Sequence, residues 1–311
     1  VGRGALVTNA TSNDNTAVGT NALFSSTAAS NTAIGSNVLG VSTTGASNTG
    51  MGFNALTRHT TGSSNVAIGS QSLSFNTTAS ENTAVGHQAS LSNTTGTGNA
   101  ALGAYTLKDS TTGHYNTAVG HTALTNNTNA EGNTSVGFQS MYTNTTGTSN
   151  VAAGRNAMYY NTTGGANVSI GQSSLNNNTT ASGNTALGYQ AGYSNTTGFR
   201  NVFVGLQSGY SNQTGVENTI VGRHAGYNAT GSNNLFLGEE TGYSQSSGTF
   251  NTYVGTYAGS SMLTGSKNTI LGKFNGNEGG LDIRTSDNNI VLSDGDGNIG
   301  LYVDSSQNLL I

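Results

Sequence analysis

Asn116-Thr117-Ala118-Val119-Gly120 is one copy of a motif whose Asn recurs at positions 15, 31, 48, 65, 82, 99, 116, 133, 150, 167, 184, 201, 218, 234, 251 and 268. Thirteen of the fifteen intervals are 17 residues and two are 16. So strict a period means that each unit stacks on the next in one register. Counting from the Asn as position one, the unit reads roughly N-T-A-V-G-x-Q-A-L-x-x-N-T-T-G-x-x.

Positions one to four alternate with a period of two, the signature of a strand. Position four is Val18, Ile34, Met51, Ile68, Val85, Leu102, Val119, Val136, Ala153, Ile170, Leu187, Val204, Val221, Leu237, Val254 and Leu271, and it is expected to face a core. Position two is mostly Thr or Val, whose branched side chains suit a pleated surface. The Gly at position five is unchanged from Gly19 to Gly272, which implies a corner with positive φ or a close backbone approach. Asn116, Gly120, Asn133, Gly137, Asn184 and Gly188 are representative anchors of the repeat. A second short strand is expected over positions seven to ten. Asn-Thr-Thr-Gly, as in Asn144 to Gly147, then turns the chain back.

The fold class implied is all-β, a narrow β-solenoid or β-roll of about sixteen 17-residue coils. At about 3.3 Å per residue each coil has a perimeter of roughly 55 Å, and coils about 4.8 Å apart build a rod of roughly 77 Å. Each coil carries only about one large apolar residue, one Ala and one Leu to offset the ordering of 17 residues. Ordering costs on the order of 1.5 kcal/mol per residue, against about 25 cal/mol per Å² buried. A partner surface is therefore expected to contribute, and a homotrimeric fibre is the assembly anticipated.

Composition agrees with an unusual, repetitive chain. Among 311 residues there are 46 Gly, no Cys, Pro or Trp, and only nine Lys plus Arg against thirteen Asp plus Glu, a net charge of -4. About a quarter of an average globular domain is charged. With no basic cluster or stripe, the chain has no electrostatic footprint for nucleic acid. No run approaches eighteen apolar residues and no signal-peptide pattern opens the chain, so membrane insertion is not expected. The start at Val1-Gly2, without Met, reads as the end of a repeat already under way, and hence as a piece of a longer polypeptide.

The repeat changes near residue 190. Position nine runs from Leu23 through Leu175 as Leu or Met, with Ser90 the exception, and is then Gly at 192, 209, 226, 242, 259 and 276. Position three enlarges over the same stretch to Phe203, Ile220, Phe236, Tyr253 and Ile270. Tyr193, Tyr210, Tyr227 and Tyr243 appear beside the new Gly residues. Three segments follow: a Leu-bearing shaft over 1–190, a Gly-Tyr variant over 191–276, and a terminal module over 277–311. In the last, Ile290–Ser293 and Ile299–Val303 flank Asp294-Gly295-Asp296-Gly297-Asn298, a strong hairpin signal. The four Tyr residues either pack between coils or chains, or form an exposed stripe that stacks on the sugar rings of a host glycan.

No catalytic, cofactor or metal constellation emerges. Asp294, Asp296 and Asn298 share the opening spacing of a calcium loop, but Ile299 stands where that loop needs Gly and no Glu follows at its twelfth position. Glu239 and Glu240, adjacent on a presumed strand, point to opposite faces and form no acid/base couple. His59, His87, His114, His121 and His224 fall at variable repeat positions and read as solvated decoration. Sequons at Asn76, Asn93, Asn144, Asn161 and Asn195 are locked to the repeat, which favours a turn or ladder role over glycosylation. The chain is not expected to be an enzyme.

The stretch Asn184-Thr-Ala-Leu-Gly-Tyr-Gln-Ala-Gly-Tyr-Ser-Asn-Thr-Thr-Gly198 resembles the repeats of bacteriophage tail-fibre proteins and related bacterial surface fibre and adhesin proteins, and the resemblance covers nearly the whole chain. Residues 298–308 are similar to the segment that often precedes an intramolecular chaperone in such fibres. The resemblance implies a trimeric, β-rich shaft assembled with a C-terminal chaperone that this sequence does not contain. It also implies an extracellular location, on a virion or a cell surface.

Three functional expectations follow. The first is a structural and adhesive tail-fibre shaft whose weak contacts with a host-surface glycan or protein gain avidity from repetition. The second is a bacterial or archaeal extracellular filament or adhesin stalk. The third is an ice-binding solenoid, prompted by the Thr-rich turns but opposed by the need for a flat, regular Thr array.

Overall fold

A computed structural model describes residues 2–8 and 12–310. The fold is an all-β solenoid of about sixteen turns, and the chain divides into two compact units. The first, residues 1–156 and 161–163, carries β1 (Thr16–Val18), β2 (Thr32–Ile34), β3 (Thr49–Met51), β4 (Val66–Ile68), β5 (Thr83–Val85), β6 (Ala100–Leu102), β7 (Thr117–Val119), β8 (Thr134–Val136) and β9 (Val151–Ala153). The second, residues 157–160 and 164–311, opens with β10 (Val168–Ile170), β11 (Thr185–Leu187), β12 (Val202–Val204), β13 (Thr219–Val221), β14 (Leu235–Leu237), β15 (Thr252–Val254) and β16 (Thr269–Leu271). It continues with β17 (Asn277–Glu278), β18 (Leu281–Asp282), β19 (Ile290–Ser293), β20 (Ile299–Val303) and β21 (Leu309–Leu310).

From β1 to β9 and from β10 to β16 successive strands pair in parallel and in register, so Thr117 lies beside Thr134 and Val119 beside Val136. The register is held by position one. Asn48 donates its backbone N–H to Asn31 Oδ1 at 2.9 Å and its Nδ2 to Gly62 O at 3.1 Å. The same bond recurs at 3.0 Å from Asn133 N–H to Asn116 Oδ1, and at 2.9 Å from Asn201 N–H to Asn184 Oδ1. Such stacked amides form an Asn ladder, in which every buried polar group meets its copy one coil away.

This ladder corrects the facing expected from the sequence. Because Asn at position one must point inward to make these bonds, position three shares its face and positions two and four point outward. Ala33, Ala67, Ala118, Phe203, Ile220 and Phe236, all at position three, are fully buried. Position four is not core: Val18, Met51, Leu102, Val136, Leu187 and Leu237 are exposed.

The second strand expected over positions seven to ten is absent; a run of turns takes its place. Positions seven and nine both adopt the left-handed conformation, as at Gln139 (φ 54°) and Met141 (φ 48°), and Leu124 does the same (φ 52°). A left-handed L-residue costs roughly 1–2 kcal/mol. Burial of the position-nine Leu and Met side chains offsets that cost, and inter-coil bonds such as Leu124 N–H to Ser140 O, 3.0 Å, satisfy the backbone. The Gly at position five meets both expectations for a corner. Gly120 has φ 128°, and a Cβ there would stand 2.6 Å from Gly137 O; Gly137 (φ 132°) and Gly188 (φ 139°) repeat the geometry.

The Asn-Thr-Thr-Gly segments turn the chain and add two ladders. Asn144, at position twelve, is buried and donates its Nδ2 to Asn127 Oδ1 at 3.1 Å and to Gly147 O at 3.0 Å. The Thr after it donates its hydroxyl to the carbonyl of the equivalent Thr one coil on, as from Thr94 to Thr111 O at 3.0 Å. All five sequon Asn residues, 76, 93, 144, 161 and 195, are buried.

Beyond β16 the 17-residue spacing lapses but the ladder takes a further rung. The short antiparallel pair β17–β18 is inserted, and β19 then stacks on β16 with Leu271 beside Leu292. Asn289 donates its backbone N–H to Asn268 Oδ1 at 2.8 Å. Tyr302, on β20 antiparallel to β19, donates its hydroxyl to Asn289 Oδ1 at 2.9 Å and so closes that end of the ladder.

Candidate functional site

Two surfaces stand out, and both arise from the inward commitment of positions one and three. On the strand face the outward residues are position two, mostly Thr, and position four, apolar throughout. In the first unit Val18, Met51, Ile68, Leu102 and Val136 are 36–45 % exposed, flanked by exposed Phe53 and Phe138 at position six. In the second, Ile170, Leu187, Leu237 and Leu271 are 40–47 % exposed, with Tyr189 and Leu206 beside them. Isolated exposed apolar residues are ordinary, but a contiguous patch marks an interaction surface.

The second surface carries the aromatic side chains. Tyr193, Tyr210, Tyr227 and Tyr243 are brought together as expected from their spacing, with successive ring centroids 4.9–5.2 Å apart and interplanar angles of 3–11°. Burial, followed by the neighbouring Tyr227, Tyr193 and Tyr189, pushes the Tyr210 phenol above its ordinary range. His224 meets Tyr227 and Tyr243 edge-on at 5.9 and 6.4 Å. The stacking turns each inner ring face toward the next ring, so the ladder offers mainly edges and hydroxyls to solvent. In the first unit a mixed ladder runs His87, Tyr105, His121, Phe138, with centroids 5.2–5.8 Å apart. Arg155 lies 5.9 Å from the Phe138 ring.

No family model, curated protein or solved structure matches this chain.

The remaining chemical candidates are occupied by local contacts. Asp294 Oδ1 accepts the backbone N–H groups of Asp296 and Asn298 at 2.9 Å, and its Oδ2 accepts Asn298 Nδ2 at 2.9 Å. The Asn298 side chain leads the contacts that hold this carboxyl below its ordinary range. Asp304 repeats the arrangement with Ser306 and Asn308. Glu239 and Glu240 lie in a turn and not on a strand, and both accept hydrogen bonds from Arg223. Among the described residues no three metal-ligating side chains converge, and no helix is long and apolar enough to cross a membrane.

One histidine departs from the solvated reading. His59 occupies the position-twelve ladder between Ser42 and Asn76 and is fully buried. Burial lowers its pKa to about 4, with the Gly62 backbone opposing in part.

The outward apolar ladder was missed by periodicity, although the sequence held a signal for it. Position three enlarges where position nine shrinks to Gly, and such volume compensation requires the two positions to share one core. Gly209 and Phe203 show the contact directly: a Cβ on Gly209 would collide with the Phe203 ring.

Proposed function

We propose that this chain is a shaft segment of an extracellular fibre, of the kind found in phage tail fibres, in which three copies associate through the apolar strand face. The observation that carries the reading is the in-register, outward row of Val, Ile, Leu and Met at position four. The solenoid satisfies its own backbone within each unit, so this face presents side chains alone, the apolar row at position four beside the mostly Thr row at position two. Nine rungs about 4.8 Å apart make the position-four row an apolar stripe roughly 40 Å long in the first unit, widened at Phe53 and Phe138. Burial against other copies removes that stripe from water at about 25 cal/mol per Å². Repetition of the coil then presents any surface contact many times along a stiff scaffold, the condition under which weak contacts add into avidity.

Leu102→Lys with Val136→Lys tests this reading. Both side chains already point outward, so the coil is expected to fold with an unchanged circular-dichroism spectrum while the assembly dissociates. Lysine substitutions that leave the assembled mass unchanged would remove the face from the model of assembly.

A cellular surface filament or adhesin stalk would use the same geometry. A virion-binding domain upstream in the full-length polypeptide favours the phage reading, and a secretion signal or anchor the cellular one. The outward Thr residues at position two line up in register at Thr16, Thr32 and Thr49 but give way to Val66 and Ala100, so the regular array that ice binding requires is interrupted and this reading is a remote one. A thermal-hysteresis assay without activity disposes of that reading.

A further inference from the structure

Position ten holds the aromatic ladder of the second unit, and in the first unit it contains one Gly. Phe24, Gly40 and Thr57 are successive position-ten residues, and the gap left by Gly40 opens a cavity of about 250 Å³ beside the Phe24 ring. Phe24 is exposed. Where Tyr210 has another ring on each side, Phe24 has the empty position of Gly40 on one of its sides. Val41 lines the same cavity and is exposed. Its polar wall is the position-seven amide ladder: Asn21 Nδ2 donates to Asn37 Oδ1 at 3.2 Å, and Asn37 Nδ2 donates to Asn54 Oδ1 at 3.2 Å. Each amide nitrogen has a second N–H left for a ligand.

We propose that this cavity is a binding site for a single pyranose ring of a surface glycan. A pyranose presents one apolar C–H face and a rim of hydroxyls, and the cavity presents an uncovered aromatic face beside a row of amides that both donate and accept. The cavity is smaller than the ~300–1,000 Å³ of drug-sized sites, which limits it to about one ring. A small apolar surface with a few convergent polar groups is the usual composition of a ligand site. The proposal deepens the adhesive part of the fibre reading and moves it from the tyrosine ladder, whose inner ring faces are covered, to an aromatic side chain left open by a Gly neighbour and set beside a cavity. Affinity for one ring is expected on the order of millimolar, and repetition of the chain in an assembly supplies avidity.

Gly40 provides a clean test. A Cβ built there meets nothing closer than 3.9 Å, and its φ lies outside the left-handed region, so a side chain is tolerated. Gly40→Tyr extends the stack over Phe24 as Tyr227 does over Tyr210 and closes the cavity. The full chain is titrated with the methyl glycosides of glucose, galactose and N-acetylglucosamine under saturation-transfer NMR. Transfer to the ring C–H protons of at least one glycoside is expected, weakened at least tenfold in both Gly40→Tyr and Phe24→Ala and retained in Tyr210→Ala. No transfer to any of the three, or transfer unchanged in Gly40→Tyr, overturns the site. Neither result bears on chain assembly, which is measured separately by mass.

Discussion

The ring of Phe203 stands where a side chain on Gly192 would have to go: a Cβ built on Gly192 lies 2.5 Å from Phe203 Cδ2. In the first unit the same space is shared between an Ala at position three and a Leu at position nine, as at Ala118 and Leu124. In most coils the core is thus filled by one large side chain, supplied from either of two positions, and the coil of Ala186 and Gly192, which has none, is filled by Leu175 and Phe203 of its neighbours. Phe203→Ala is expected to cost about 3–5 kcal/mol, the usual penalty for emptying a buried aromatic site. Gly209→Leu, at position nine of the coil that carries Phe203, alone overpacks it by about 1–3 kcal/mol. Together they rebuild the Ala/Leu coil, and the double mutant is expected to be more stable than the sum of the singles by at least 1 kcal/mol. Denaturant unfolding of all four chains measures that coupling.

Asn116 holds two neighbours at once. It accepts from Asn133 N–H at 3.0 Å and donates its Nδ2 to Ala130 O at 2.8 Å. Asn116→Ala leaves the buried Asn133 N–H without its acceptor, while Ala130 O keeps Asn127 Nδ2 at 3.1 Å, and is expected to cost about 1–3 kcal/mol. Hydrogen exchange at the Asn133 amide should accelerate more than at Asn65, several coils away.

His59 makes stability pH-dependent over a defined window. Its folded pKa of about 4 lies below the 6.5 of the free side chain, so between these values the unfolded chain binds the extra proton. The stability associated with neutral His59 is complete above pH 6.5, falls as the pH drops toward 4, and is level below that. The loss amounts to about 3 kcal/mol. His59→Asn, matching Asn76 and Asn93 in the same ladder, is expected to flatten melting temperature against pH across this window. A variant as acid-sensitive as the parent would assign the effect to another group.

The period, the Gly corners and the Asn turns were legible because each answers to a local rule: one stacking register, one positive φ, one family of turn residues. Gly120 and Asn144 do what their residue types imply. Which face of the strand is buried was not legible from alternation, since a one-residue shift exchanges the two faces and leaves the period intact. The hydrogen-bonding demand of Asn at position one breaks that symmetry, and it outweighs the greater bulk of Val119 or Leu102 at position four. The turns over positions seven to ten were hidden for a related reason. Gln139 and Met141 alternate as strand residues do, while their backbones are left-handed. His59 escaped notice because position twelve tolerates Ser, Asn, Gln and Met, so its variability resembled that of a solvent-facing site.

Association through the strand face is open to a direct chemical test, because the chain contains no Cys. Leu102→Cys places a single thiol on the exposed apolar ladder, and Thr112→Cys places one in an exposed turn away from it. Under mild oxidation, the fraction of disulfide-linked dimer on a non-reducing gel reads which surfaces of different chains meet. Leu102→Cys is expected to cross-link rapidly and at low chain concentration, with Thr112→Cys remaining monomeric. Equal cross-linking of the two variants, or none from Leu102→Cys, would contradict assembly through this face.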